Sequence, residues 1–234
     1  MKMKAIFGAT CILLFAMPSV LAQGDLFSGP ELDFFRKYMI DREFVIPADA
    51  NRTSRLDGGK IEIDFDRRAK FANLTVAPEG FTYNVMFTMK QTNYDLDANG
   101  NRILPGRVMD RTVVVRESFG RSKSTGKMIG HRTILYNDFA DASYGMASNM
   151  IMSLEGEDKM VVVIIPGGYA DYFAAGGGHR PRTNRTHTEI VVKDGKVTRT
   201  SVVEIFDVDP DTLQMTPSGE KSTLVDFAEL GEGR

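Results

Sequence analysis

The sequence predicts an all-β protein, an antiparallel meander of about eight strands closed as a barrel, with a short N-terminal helix. From residue 59 to residue 207, apolar and polar side chains alternate with a period of two. This pattern is typical of strands with one buried face. Turn-forming pairs, among them Asn99-Gly100 and Asp194-Gly195, separate the alternating segments. A β-sandwich is the alternative, but a barrel leaves no strand edge unpaired.

Length and composition agree with one folded domain. The chain has 234 residues, of which 42% are hydrophobic and 26% charged, and its net charge is −2. This composition excludes a disordered chain, a collagen and a coiled coil. This net charge gives no reason to expect a nucleic-acid partner, and no aromatic residues are interleaved in the locally basic run 179–187, so we expect none.

Residues 1–22 are predicted to be a signal peptide. An apolar stretch follows two lysines, and Val20 and Ala22 suit the −3 and −1 positions of a cut before Gln23. A membrane anchor is the alternative, which Pro18 disfavours. We therefore expect a periplasmic or secreted protein with no membrane span after signal removal. Cys11, the only cysteine, would leave with the signal, so the mature chain would have no disulfide.

Residues 23–58 are predicted to hold a short helix and a linker. Ser28 and Glu31 fit a capping box at the start of the helix. Three apolar residues then recur at helical spacing, namely Leu32, Phe35 and Met39. Residues 49–58 are polar and rich in turn-forming residues, which favours a linker.

The barrel domain is predicted to span residues 59–207 and to precede a tail. The predicted strands are 60–65, 81–92, 107–119, 127–136, 146–154, 159–165, 186–193 and 196–206. Residues 208–234 are predicted to be a loose tail with one helical turn at 222–230.

Motif patterns point to neither a metal nor a cofactor. Asp95, Asp97 and Asn99 match the first half of a calcium loop, but Gly106 stands where the bidentate glutamate should be. A hairpin turn explains this segment better. The chain also contains no zinc-protease helix motif, no serine-hydrolase elbow and no phosphate-binding loop.

Two loop regions are candidates for substrate binding. Tyr169 and Tyr172 lie between two glycine runs, which is typical of a flap over a ligand mouth, although an ordinary connection fits equally well. Arg180 and Arg182 belong to a basic run that would steer an anionic ligand or form a solvated rim.

His131 is the first candidate for acid–base catalysis. It shares a strand face with Ile129 and Leu135, which predicts a position on the inner wall of the barrel. There it could move a proton, with Tyr136 and Glu117 as nearby partners. A satisfied structural histidine is the alternative.

His187 is a second candidate. A two-residue turn at Asp194-Gly195 pairs Lys193 with Lys196, which places His187 on the same face as Glu189. If that face lines the lumen, the pair could act on a substrate. We favour the outer surface for it.

The meander from about residue 107 to residue 206 resembles the allene-oxide-cyclase and dirigent-like barrels. The likeness rests on a long strand pair around Thr125-Gly126, a tyrosine-bearing strand end at Tyr136, and the glycine-rich crossing at 167–178. The resemblance implies cofactor-free chemistry on a hydrophobic or phenolic molecule inside a barrel.

Three functions follow as expectations. The first is a cofactor-independent isomerase, cyclase or lyase that uses acid–base chemistry. Its substrate would be a small hydrophobic or aromatic molecule, which could also be anionic. The second is a non-catalytic, lipocalin-like carrier of such a ligand. The third is a structural protein whose barrel is filled by its own side chains.

Overall fold

The computed structural model describes residues 29–46, 60–138, 148–166, 170–173 and 179–231. One helix and eleven strands occur among them. Their bounds are α1 Pro30–Tyr38, β1 Glu43–Val45, β2 Ile61–Ala77, β3 Gly80–Asp95, β4 Arg107–Arg121, β5 Met128–Asn137, β6 Ser148–Leu154, β7 Lys159–Pro166, β8 Ala170–Phe173, β9 His179–Lys193, β10 Lys196–Val208 and β11 Met215–Glu229. The predicted signal peptide and the predicted linker at 49–58 lie outside the described residues.

The prediction of a closed antiparallel barrel is confirmed. Ten strands form the ring in the order β10-β11-β1-β2-β3-β4-β5-β6-β7-β9, and β9 pairs again with β10 to close it. β8 pairs only with the first residues of β9, so it extends the wall beyond β7. The eight predicted strands correspond to β2–β7, β9 and β10.

The two ring strands that the sequence did not predict are β1 and β11. β1 has three residues, too few to show a periodic pattern. The prediction of a loose tail with a helical turn at 222–230 is wrong, because those residues belong to β11, which pairs with β10 along most of its length. Long-range pairing with β10 therefore determines its conformation, although its sequence is mostly polar.

Helix α1 closes one end of the barrel with an aromatic cluster. The Phe35 ring stacks on the Tyr83 ring with their centroids 4.4 Å apart, and it makes an edge contact with Phe71 at 5.7 Å. Leu32 and Met39 are also buried, as their spacing predicted. The predicted capping box is wrong, because Gly29 is the N-cap and Glu31 instead accepts a 2.9 Å hydrogen bond from Arg121 on β4.

Gly130 on β5 allows this cluster to pack closely. A Cβ atom there would lie 2.6 Å from Cδ1 of Phe119, so no side chain fits. The Phe119 ring occupies that space and stacks with Phe81 at 5.4 Å. The aromatic layer therefore continues from α1 across β3 and β4.

The barrel becomes more accessible with distance from α1. On β3 the inward residues Tyr83 and Val85 are buried, whereas Phe87 and Met89 are half-buried. On β10 Ser201 is buried, whereas Val203, further along the same face, is half-buried. Ile63 on β2 is the exception, because it is buried near the loop 96–106. We call the half-buried part of the interior the funnel, with its narrow end toward α1 and its wide end, where Phe87 and Met89 are more accessible, toward the loops 96–106 and 209–214. Its apolar wall includes Phe65, Phe87, Met89, Val113, Ile134 and Val203.

Candidate functional site: a charged layer at the bottom of the funnel

A cavity of about 30 Å³ lies where the funnel meets the aromatic cluster. Phe35, Phe87, Met150 and Ile164 contribute apolar surface to it. Its polar and ionisable lining consists of Tyr83, Glu117, Arg132, Thr188 and Arg199. These side chains come from β3, β4, β5, β9 and β10, and alternation along each strand points them inward.

One side of this layer is a self-contained network. The Tyr83 hydroxyl donates a short hydrogen bond to Oε2 of Glu117. Nε of Arg132 donates to Oε1 of Glu117 at 2.7 Å, and Nη2 of Arg132 donates to the same oxygen. The three residues are cross-strand neighbours, since Tyr83 pairs with Glu117 and Glu117 pairs with Arg132. We call this network the closed wall, because each carboxylate oxygen of Glu117 has a donor.

Tyr83 remains a neutral phenol. Burial raises its pKa well above the usual value, and the negative charge of Glu117 raises it further. It therefore serves as a hydrogen-bond donor across the neutral pH range.

The opposite side of the layer is less well satisfied, and we call it the open wall: Arg199 and Asp226, with Arg67 beside them. Arg199 is 9% exposed, and its Nη1 lies 3.4 Å from Oδ2 of Asp226. The angles of that contact do not make a hydrogen bond, so Nη1 has no hydrogen-bond partner. The guanidinium also lies over the Phe71 ring, 5.0 Å from its centroid.

Asp226 influences two arginines. Burial lowers the pKa of Arg67 below its usual value, while the charge of Asp226 raises it and the charge of Arg199 lowers it. The guanidinium of Arg67 lies 5.6 Å from the centroid of the Phe87 ring, which lines the cavity. The open wall thus has two cations and one carboxylate, which leaves one positive charge uncompensated by these three residues.

A hydroxyl pair lies beside the open wall. Oγ1 of Thr188 and Oγ of Ser201 are 2.9 Å apart, and both residues are buried. Thr188 lines the cavity, and Ser201 is two residues from Arg199 on the same face of β10. Either hydroxyl can donate the shared hydrogen bond, so the pair can adapt to a neighbouring acceptor.

The predicted inner-wall position of His131 is wrong. His131 is exposed, and Ile129 and Leu135 beside it are 46% and 47% exposed. The register explains this, because Glu117 on the inward face of β4 pairs with Arg132 rather than with His131. His131 instead lines a shallow groove on the outer surface.

Tyr136 and His187 also lie outside the barrel. Tyr136 is 54% exposed and pairs with Val114 next to an irregularity in the β4–β5 ladder. The predicted β9–β10 register is confirmed, with Lys193 opposite Lys196 and His187 opposite Val202. Nε2 of His187 is 3.6 Å from Oε1 of Glu189, and both side chains are about half exposed. The three predicted catalytic residues, His131, Tyr136 and His187, therefore do not line the cavity.

The remaining candidates divide between the site and its surroundings. Glu117 lies in the cavity. Arg182 forms ion pairs of 2.9 Å with both Asp207 and Glu220, so its charge is neutralised within the barrel wall. Tyr172 on β8 pairs with Arg180 on β9. Tyr169 lies outside the described residues.

The calcium-like segment is a hydrogen-bonded turn. Oδ1 of Asp97 accepts 2.8 Å hydrogen bonds from the backbone N–H groups of Asn99 and Asn101. Hydrogen bonds from Asn101 lower the pKa of the Asp97 carboxyl. Among the described residues no cluster of His, Cys, Asp and Glu side chains is placed to hold a metal ion.

Comparison with known proteins does not add to this description. No family model, no curated protein and no solved structure matches the chain. In the part of the chain that the structure describes, no helix has both the length and the apolar character needed to cross a membrane.

Sequence reasoning missed Arg132 and Arg199, because an alternating strand is ordinarily interpreted with its charged side chains outward. It missed Asp226 because residues 208–234 were predicted to be a tail rather than a strand. One signal could have found Arg132. Val115 and Phe119 mark the buried face of β4, and Glu117 lies between them on that face. A six-residue connection at 122–127 then places Arg132 opposite Glu117.

Proposed function

We propose that this protein is a non-catalytic carrier that holds a small molecule with an apolar body inside its barrel. The observation that carries the proposal is the funnel, whose walls are apolar and half-buried and whose bottom is a polar cavity. Such a shape suits a ligand with a hydrophobic or aromatic body and a polar end.

Cavity size determines how such a ligand would lie. A volume of about 30 Å³ accommodates a polar group of a few atoms but not an aromatic ring. The ligand body would therefore occupy the funnel above the cavity, against Phe87 and Val203. The flexible thioether of Met150 gives the cavity lining some capacity to adapt.

A neutral fluorescent probe tests this proposal. N-phenyl-1-naphthylamine should give a saturable increase in fluorescence with the wild-type chain. Val203→Trp should block the funnel and abolish the increase, because Val203 lies inward on β10. Val202→Trp is the matched control, since Val202 lies on the outer face opposite exposed His187. Equal binding by both variants would place the probe on the outside and contradict the proposal.

Acid–base catalysis is the second candidate, and the contact between Tyr83 and Glu117 favours it. The enzyme would be a cofactor-independent isomerase, cyclase or lyase. Tyr83 would donate a proton to one position of the substrate, in place of its hydrogen bond to Glu117, and would take back the proton that another position loses, so that it ends the turnover neutral. Once a substrate is known, Tyr83→Phe should then lower turnover by about 100- to 10,000-fold while binding is retained. Unchanged turnover would remove Tyr83 from the reaction.

Export is the third part of the proposal, and it rests on the sequence of residues 1–22. Intact-mass spectrometry of exported protein should show a chain that starts at Gln23. A mass that includes Met1 would contradict it.

A further inference from the structure

We propose that the carrier is selective for monocarboxylates, and that the open wall binds the carboxylate with Arg199 as its principal donor. This inference rests on the proposed carrier function and adds the chemistry of the ligand's polar end. The observation behind it is a buried guanidinium that lines the cavity and whose Nη1, although 3.4 Å from Asp226, has no hydrogen-bond partner.

Buried charges normally have complete partners. An arginine that is nine-tenths buried is costly unless its donors are satisfied and its charge is compensated. The buried charges of the closed wall have complete partners, since the Glu117 carboxylate accepts hydrogen bonds from Tyr83 and Arg132. Arg199 does not, because Nη1 is unsatisfied and Asp226 is also under the influence of Arg67.

The charge of the layer favours an anion. Three of the described residues that line the cavity are charged, and they are Glu117, Arg132 and Arg199. With one carboxylate and two guanidinium groups, the lining has a net charge of +1. Asp226 and Arg67 lie next to this lining and add charges of −1 and +1, so the net charge of the layer stays at +1. A single negative charge in the cavity would therefore neutralise the layer.

The donors and the volume favour a carboxylate in particular. Guanidinium N–H groups match the planar geometry of a carboxylate, and the Thr188–Ser201 hydroxyl pair provides another donor beside them. A carboxylate has three heavy atoms, in keeping with a cavity of about 30 Å³. The apolar wall above would contact the rest of the molecule.

Competition against N-phenyl-1-naphthylamine tests the inference, with octanoate and octanol as competitors at low, fixed salt. Octanoate should bind at least about tenfold more tightly than octanol, because only the carboxylate forms charge-assisted hydrogen bonds with Arg199. Propionate should be at least about tenfold weaker than octanoate, because it lacks most of the apolar chain. Propionate as strong as octanoate would mean a site for small free anions, which would overturn the carrier's selectivity for amphipathic carboxylates.

Variants locate the site. Arg199→Gln should lower octanoate affinity by about 10- to 100-fold and leave octanol affinity within about twofold. Arg116→Gln is the matched control, because Arg116 is an exposed arginine on the outer face of β4. If Arg199→Gln fails to fold, the double variant Arg199→Gln with Asp226→Asn removes both charges together, and it should show the same loss of preference.

The outcomes separate the two proposals. If the probe binds inside but octanol competes as well as octanoate, the carrier proposal stands and the carboxylate inference is wrong. If octanoate is preferred but both Arg199 variants keep that preference, the anion site lies elsewhere. If the probe shows no saturable internal binding, the carrier proposal itself fails.

Discussion

The closed and open walls of the barrel both contain buried carboxylate and guanidinium groups, but they differ in how fully those groups are hydrogen-bonded. Glu117 on the closed wall is only 3% exposed, and it accepts hydrogen bonds from a tyrosine and an arginine. Arg199 on the open wall is similarly buried but has a donor with no acceptor. Two buried networks in one layer thus differ in what they can still bind. The closed wall is complete without a ligand, and the open wall is not.

This difference predicts that the closed wall contributes more to stability. Glu117→Gln should lower the free energy of unfolding by about 3–5 kcal/mol, because it leaves the Arg132 charge without its partner. Urea denaturation followed by circular dichroism measures this change. Glu43→Gln is the control, since its ion pair with Arg68 is half exposed and should be worth less than about 1 kcal/mol. Equal effects of the two variants would contradict the distinction.

Replacing the open-wall pair with apolar residues should have a different outcome. The double variant Arg199→Met with Asp226→Leu should keep its free energy of unfolding or gain about 1–4 kcal/mol, because replacing a whole buried ion pair removes its desolvation cost. The same denaturation experiment measures it. A loss comparable to that of Glu117→Gln would show that both walls are structural.

The hydroxyl pair allows a smaller test of the open wall. Thr188→Val should cost about 1–3 kcal/mol, because it leaves the buried Ser201 hydroxyl without its partner. Adding Ser201→Ala should recover part of that loss, since no polar atom is then left unpaired. A double-mutant cycle gives the coupling between the two residues. Strictly additive losses would argue against the hydroxyl contact.

His131 should have the smallest effect. Because its side chain is exposed on the outer face, His131→Gln should change the free energy of unfolding by less than about 0.5 kcal/mol. It should also leave probe binding unchanged. A large loss of binding would mean that the outer groove, and not the funnel, holds the ligand.

Local sequence patterns predicted those parts of the fold that local chemistry determines. The Asp194-Gly195 turn sets the β9–β10 register, because both residues adopt positive φ angles of 50° and 71°, as a tight hairpin requires. Alternation along β3 likewise places Tyr83 on the same face as the apolar residues Phe81 and Val85, and that face is buried. β11 escaped prediction because its pairing with β10 is long-range and its sequence is mostly polar.

The candidate site was only partly predictable for a related reason. Glu117 was identified, but as a partner of His131 rather than of Arg132. The apolar residues Ile129 and Leu135 suggested a buried face, whereas β5 in fact turns Arg132 inward. Alternation shows which residues share a face of a strand. It does not show which face is buried when both faces carry apolar and polar residues. Register with β4 decides that question.

A crystal structure with 8-bromooctanoate is the most direct test of the open wall as a carboxylate site. The anomalous signal of bromine locates the ligand tail independently of the electron density for the head. We predict that a carboxylate oxygen lies within about 3.1 Å of Nη1 of Arg199 and that the bromine lies in the funnel near Val203. A ligand bound on the outer surface, or one with its carboxylate at the wide end of the funnel, would contradict the account.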